Sequence, residues 1–170
     1  MKRYFPLAFG MIFLLLLQLL SLLFPRKLIL YNYTDSLPHG LYLLWQGVPR
    51  KGDLIAFEPP ENAARLIRER KYLRDGAYLI KYIVGEKGDS VCTVQRRLKV
   101  NGVDYGGIDA VDKEGLPLPG YLFCGIQTDG YIVAIKGMNS SFDSRYYGPI
   151  KNGSIIGLVS PLWLFVKEIQ

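Results

Sequence analysis

The chain has 170 residues, enough for one domain with a core and too few for two comfortable ones. Its formal charge is +6, yet Lys2, Arg3, Arg26 and Lys27 supply four of those charges, and the remaining 17 basic residues face 15 acidic ones; that balance speaks against nucleic acid as a partner. A single histidine, two cysteines without ligand spacing and no glycine-rich phosphate loop leave no metal site and no cofactor to expect.

The positive charge flanks a greasy run. Tyr4 to Pro25 is 22 residues without a charge, and as a helix it would span roughly 33 Å, enough for a bilayer's hydrocarbon core. A cleavable signal peptide is the alternative, but its apolar region is shorter and ends in small residues. Here the run ends Leu22-Leu23-Phe24-Pro25, so residues 1–27 are expected to be a retained transmembrane anchor and residues 28–170 the working domain. Basic residues at both ends leave its orientation open.

After the anchor come short strand-like runs: Gly40–Trp45, Asp53–Phe57, Ala77–Val84, Ser90–Gln95, Leu98–Val100, Tyr131–Lys136 and Ser154–Val159. Turn pairs such as Gly88-Asp89, Asn101-Gly102 and Asp129-Gly130 separate them. The punctuation predicts a mainly β domain, an antiparallel sandwich or partly closed barrel. Pro60–Leu73 breaks the pattern with a proline suited to a first helical position and then strong helix formers, so one short helical insert is expected. Its Arg65, Arg68, Arg70 and Lys71 read as a solvated face, with contact to anionic lipid as the alternative. Gly106–Gly120 reads as a loop. Cys92 and Cys124 fit a disulfide in an oxidising compartment, and two free buried thiols would look the same. Trp45, Trp163 and Phe165 read as core residues or as an apolar surface meeting the membrane.

Three short segments carry chemistry. Ser36 sits in Thr34-Asp35-Ser36-Leu37-Pro38-His39-Gly40, either as an ordinary turn residue or as a nucleophile. A serine hydroxyl attacks only when a base takes its proton. His39 lies three residues away across Pro38, where the backbone offers little freedom to aim the ring, so it reads as a surface turn residue. The remaining base is a lysine. A free lysine is protonated at neutral pH, and burial among apolar groups lowers its pKa by units. Lys81 is the only charge between Gly76 and Gly85, among Leu79, Ile80, Ile83 and Val84; the alternative is an edge-strand lysine that snorkels to water. In Asn139–Pro149, Asp143 and Arg145 either form an ion pair that fixes a loop or sit in an ordinary turn.

In series, these segments resemble the signal peptidase I family, and within it the conjugal-transfer TraF-type peptidases. Thr34 to Tyr42 is similar to the nucleophile box, Arg50-Lys51-Gly52-Asp53 with its apolar strand to the box after it, Lys81 to Asp89 to the general-base box, and Ser141 to Pro149 to the last. The helical insert and Asp112–Pro119 resemble the conjugal branch. Leu37 stands where housekeeping enzymes carry methionine, Glu86-Lys87 replaces an apolar-Pro pair, and Gly137-Met138-Asn139 lacks an acidic residue.

The resemblance implies a single-pass protein of the bacterial inner membrane with its catalytic domain on the periplasmic side. It implies Ser36 as nucleophile and Lys81 as base, with the Ser36 N–H and the Thr34 hydroxyl at the oxyanion, although Thr34 can also be a plain turn residue. Ser141 would hydrogen-bond and orient the Lys81 amine, and Asp143 and Arg145 would hold their loop. In an exported domain Cys92 and Cys124 are expected to be joined. The expected substrate is an exported precursor such as a pilin subunit, bound as an extended strand with small residues in shallow pockets, and then cleaved or cyclised. A general signal peptidase and a non-catalytic scaffold of a secretion channel are the competing readings.

Overall fold

The computed structural model describes residues 5–23, 29–74 and 76–165. Its elements, in order, are helix α1 (Phe5–Leu23), β1 (Ile29–Asn32), β2 (Gly40–Trp45), β3 (Leu54–Phe57), α2 (Glu61–Glu69), β4 (Leu79–Gly85), β5 (Ser90–Cys92), β6 (Arg97–Val100), β7 (Val103–Gly107), β8 (Cys124–Ile126), β9 (Ile132–Ala134), α3 (Ser144–Tyr147) and β10 (Ile155–Leu164).

Helix α1 is 19 residues long and uncharged. Its side chains are described over 9–19, about 16 Å of helix, and no helix among the described residues is long and apolar enough to cross a membrane. The ends of the expected anchor, with Lys2, Arg3, Arg26 and Lys27, lie outside the described residues.

The strands form two antiparallel sheets, one of six in the order β1-β2-β10-β3-β4-β9 and one of four in the order β7-β6-β5-β8. Neither closes into a barrel, which corrects that half of the expectation: β1 and β9 remain separate edges of the larger sheet. Strands β3 and β4 are both interior to it. All four residues of β3 are buried and only Tyr82 of β4 is exposed, so both read as apolar runs without alternation. Helix α2 buries Ala63 and Ile67 against Ile55, Phe57, Leu79 and Ile83.

Two glycines permit close approaches. A Cβ on Gly40 would stand 2.2 Å from the Trp163 carbonyl oxygen, where β10 crosses the start of β2. At Gly106, with φ +115°, a Cβ would stand 3.0 Å from Arg145 Nη1. Cys92 and Cys124 face each other in the β5–β8 register and are joined by a disulfide. Trp45, Trp163 and Phe165 are exposed, which excludes the core reading: Trp45 ends β2, Trp163 lies near the end of β10 beside the bulge at Pro161/Trp163, and Phe165 follows that strand.

Candidate active site

Lys81 lies in the middle of β4, opposite Ile55 of β3. Alternation turns it to the same side as Leu79 and Ile83, the side covered by α2 and α3. Only 3% of it is exposed. Burial pushes the amine down, Asp143 pulls it partly back up and Arg145 pushes it down again, leaving a pKa of about 8. The edge-strand, snorkelling alternative is therefore excluded.

Ser36 lies on the β1–β2 turn. In strand order β2 and β4 are separated by β10 and β3, about 14 Å across a flat sheet. The turn bridges that gap because Leu37 is buried with Leu44, Ala56 and Ile80, which pulls the chain inward at Ser36. Lys81 Nζ ends 2.5 Å from Ser36 Oγ. A buried amine that titrates near neutrality, in hydrogen-bond contact with a hydroxyl, can take that hydroxyl's proton as it attacks a carbonyl.

The turn has an organiser that the sequence reading missed. Asn32, the last residue of β1, is 5% exposed. Its Nδ2 donates to the carbonyls of Thr34, Leu37 and Pro38, each at 3.1 Å. Its Oδ1 accepts from the Thr34 N–H at 3.2 Å and the Thr34 hydroxyl at 2.7 Å. The signal available in the sequence was an asparagine at the end of an apolar strand, two residues before a threonine. Thr34 Oγ1 lies 3.3 Å from Ser36 Oγ; because its proton goes to Asn32, it reaches an oxyanion only by rotating away. Asn32→Ala is expected to cost roughly 2–3 kcal/mol of stability, since several partly buried backbone groups lose their partner at once. Asn32→Asp should not rescue it, having no donor for three carbonyls; denaturant unfolding of both variants measures this.

The third segment closes the site from behind. Asp143 and Arg145 are both 0% exposed. The guanidinium grips the carboxylate with Nε–Oδ1 at 2.8 Å and Nη2–Oδ2 at 2.7 Å. Its remaining N–H groups donate to the carbonyls of Gly107, Met138 and Ser141. Asp143 also accepts from the Arg145 and Ile135 N–H groups, which caps α3 and ties it to the chain after β9. The loop without the acidic residue, Gly137-Met138-Asn139, is held by this fan and by Asn139 Oδ1, which accepts from the Gly107 N–H.

Ser141 departs from expectation. It is buried and lines the same cavity as Ser36 and Lys81, but among the described residues its hydroxyl makes no hydrogen bond to the amine or to any other group. Lys81 is turned to Ser36 instead. His39 Nε2 donates to Asp35 Oδ1 at 3.1 Å, not to Ser36, as a surface turn residue would. Among the four basic residues of the helical insert, Arg70 is not solvated: it binds Asp112.

Fold and site together define a β-rich domain in which a buried lysine meets a half-buried serine. The chain belongs to the signal peptidase family, peptidase S26, whose model matches residues 1–164. It is 30% identical over 147 residues to a plasmid transfer protein TraF of Escherichia coli, covering 77% of this chain and 80% of that protein. It is 32% identical over 147 residues to a conjugal transfer protein TraF of Agrobacterium fabrum, covering 79% and 81%. A probable conjugal transfer protein TraF of Sinorhizobium fredii is 34% identical over 139 residues, covering 75% and 72%. Among solved structures, a signal peptidase I of Enterococcus faecalis aligns at 22% identity with a TM-score of 0.40, over 68% of this chain and 100% of that one.

Proposed function

We propose that this protein is a Ser–Lys endopeptidase of the bacterial inner membrane that processes an exported precursor, such as a conjugative pilin subunit. The observation that carries the reading is the 2.5 Å approach of a buried, pKa-lowered amine to the Ser36 hydroxyl. The relatives' roles in plasmid and conjugal transfer support the substrate class. An uncharged helix whose large apolar side chains from Phe9 to Leu19 are exposed supports the anchor, since a helix with apolar side chains on every face needs an apolar surrounding. Residues 28–170 then work on the periplasmic side.

Neutral Lys81 takes the Ser36 proton as Oγ bonds to the scissile carbonyl carbon. The resulting oxyanion takes a hydrogen bond from the Ser36 N–H, and from the Thr34 hydroxyl once it leaves Asn32. Lys81 then passes the proton to the departing amine, which breaks the peptide bond and leaves an acyl ester on Ser36. Water resolves the ester to a linear product; a substrate amine in its place gives a cyclic one. The substrate lies extended along a free sheet edge. Asp143 and Arg145 hold the wall behind Lys81 and touch no substrate.

The test uses membranes carrying wild type, Ser36→Ala or Lys81→Ala, supplied with a candidate pilin precursor and followed by intact-mass spectrometry. Conversion by the wild type alone is expected, with a product one water lighter than the linear fragment if cyclisation occurs. Equal conversion by either variant would sink the reading and favour a scaffold. A cell that cannot grow without the gene, beyond failing to conjugate, would point instead to a general signal peptidase.

A further inference from the structure

The cavity beside Ser36 and Lys81 measures about 560 Å³. That falls within the about 300–1,000 Å³ of sites that enclose whole small ligands, and it is larger than the shallow pockets for small residues that family resemblance suggests. Its floor is mainly apolar: Ile67 from α2, Leu79 from β4, and Phe142 and Tyr146 from around α3. The floor is also firm. Phe142 stacks on Tyr146 at 5.4 Å and meets Tyr72 edge-on at 5.6 Å.

The outer wall is the loop that carries Val111, Asp112 and Leu118. A loop rich in glycine and proline would not hold this position unaided. Asp112 Oδ1 accepts from the N–H groups of Glu114 and Leu116, which closes the turn on itself. Asp112 Oδ2 accepts from Arg70 Nη1 at 2.7 Å and from the Tyr72 hydroxyl, while Arg70 Nη2 donates to the Pro117 carbonyl at 2.7 Å. Arg70, just past the end of α2, thus fastens the wall to the helix at two points, one carboxylate oxygen and one carbonyl, and the Tyr72 hydroxyl adds a third bond to the same carboxylate.

We propose that this cavity is a subsite for one bulky apolar side chain of the peptide substrate, and that Arg70 sets its size by holding the Val111–Leu118 wall. The inference rests on the peptidase reading of Ser36 and Lys81, which also line the cavity. A side chain entering from a peptide laid across Ser36 meets Ile67, Leu79, Phe142 and Tyr146 in the floor, with Asp109, Ser140 and Ser141 also lining the cavity. An alanine there would leave most of the floor against water. Arg70 acts on specificity by positioning the wall and does not touch the reacting atoms.

The test measures binding apart from cleavage. Full-length Ser36→Ala protein in detergent is titrated, by fluorescence anisotropy, with alanine–serine peptides carrying one phenylalanine at successive positions. One position is expected to bind roughly 10- to 100-fold tighter than the phenylalanine-free peptide, the gain from burying an aromatic side chain. Adding Val111→Trp, which fills the cavity from its exposed rim, should abolish that gain and spare the phenylalanine-free peptide. Adding Arg70→Ala should shrink the gain, and Arg70→Lys should not restore it, because a lysine cannot reach Asp112 and Pro117 together. Equal binding of all peptides, no binding of any, or a gain that survives Val111→Trp would overturn the subsite. A gain diminished by Val111→Trp but untouched by Arg70→Ala would overturn the role of Arg70. Wild-type protein that binds the preferred peptide without cutting it would overturn the peptidase reading and leave the subsite standing.

Discussion

Lys81→Met is expected to yield a protein that is inactive yet more stable than the wild type. Loss of one member of a nucleophile–base unit costs on the order of 10⁴–10⁶ in turnover. The stability gain comes from the same burial that lowers the amine's pKa. From the unfolded value of 10.5 to about 8 in the fold is a difference worth about 3 kcal/mol, the cost of burying the charged form. Methionine has a similar length and no charge, so it removes that cost. The sign can be followed with pH. Below pH 8 the lysine carries its proton both folded and unfolded, so the cost is constant. Between about 8 and 10.5 the unfolded chain binds the proton and the folded one does not, so wild-type stability rises with pH. The gap in melting temperature between Lys81→Met and wild type should therefore be widest below pH 8 and close as the pH climbs towards 10.5. Thermal melts of both proteins across that range measure it; a gap that does not change would show that Lys81 is not buried as an amine. Wild-type activity should rise along a limb centred near pH 8 as the base loses its proton.

The second large effect lies at the pair behind the lysine. Asp143→Asn is expected to destabilise the domain by about 3–5 kcal/mol, because it leaves a fully buried guanidinium without its counter-charge. Arg145→Met should cost a similar amount and also strands the carbonyls of Gly107, Met138 and Ser141. The double variant should lose less than the sum of the two, since no unpaired charge remains. The pH limb of activity separates the two single variants. Asp143 raises the Lys81 pKa and Arg145 lowers it, so the limb should move to lower pH in Asp143→Asn and to higher pH in Arg145→Met. Denaturant unfolding gives the first comparison and pH–rate profiles the second. Shifts in the same direction would show that the pair acts on Lys81 through packing and not through charge.

The two halves of the site differ in how far a sequence exposes them. Lys81 announces itself because a lone charge in an apolar strand either escapes to water or has a shifted pKa. The strand-by-strand alternation and turn pairs locate most of the β runs, and Gly40–Trp45 is bounded in the structure as the pattern predicts. Short pieces escape. Strands β1, β7 and β8 are three to five residues each, too brief for a period-2 signal, and β8 lies in a stretch with few β formers. Helix α3 is a single turn created by the Asp143 cap and is invisible to any 3.6-residue period.

What the sequence by itself determined is the set of local chemical facts: an uncharged N-terminal helix, a β-rich domain, a serine in a Leu-Pro-His-Gly turn, a lysine among aliphatics, and an Asp-x-Arg spacing. Each follows from neighbours within a few residues. Only the tertiary structure decided which of these meet. Ser36 and Lys81 are 45 residues apart, one on the turn before β2 and the other on β4 with two strands between, and their contact depends on the turn being drawn in by Leu37 and shaped by Asn32. The same holds for Arg70 and Asp112, 42 residues apart. Arg70 reads as one of four solvated charges until the fold sets a loop beside it. Ser141 stands in the expected segment but without the expected contact, because a side chain's partner is fixed by where the backbones pack and not by its place in a motif.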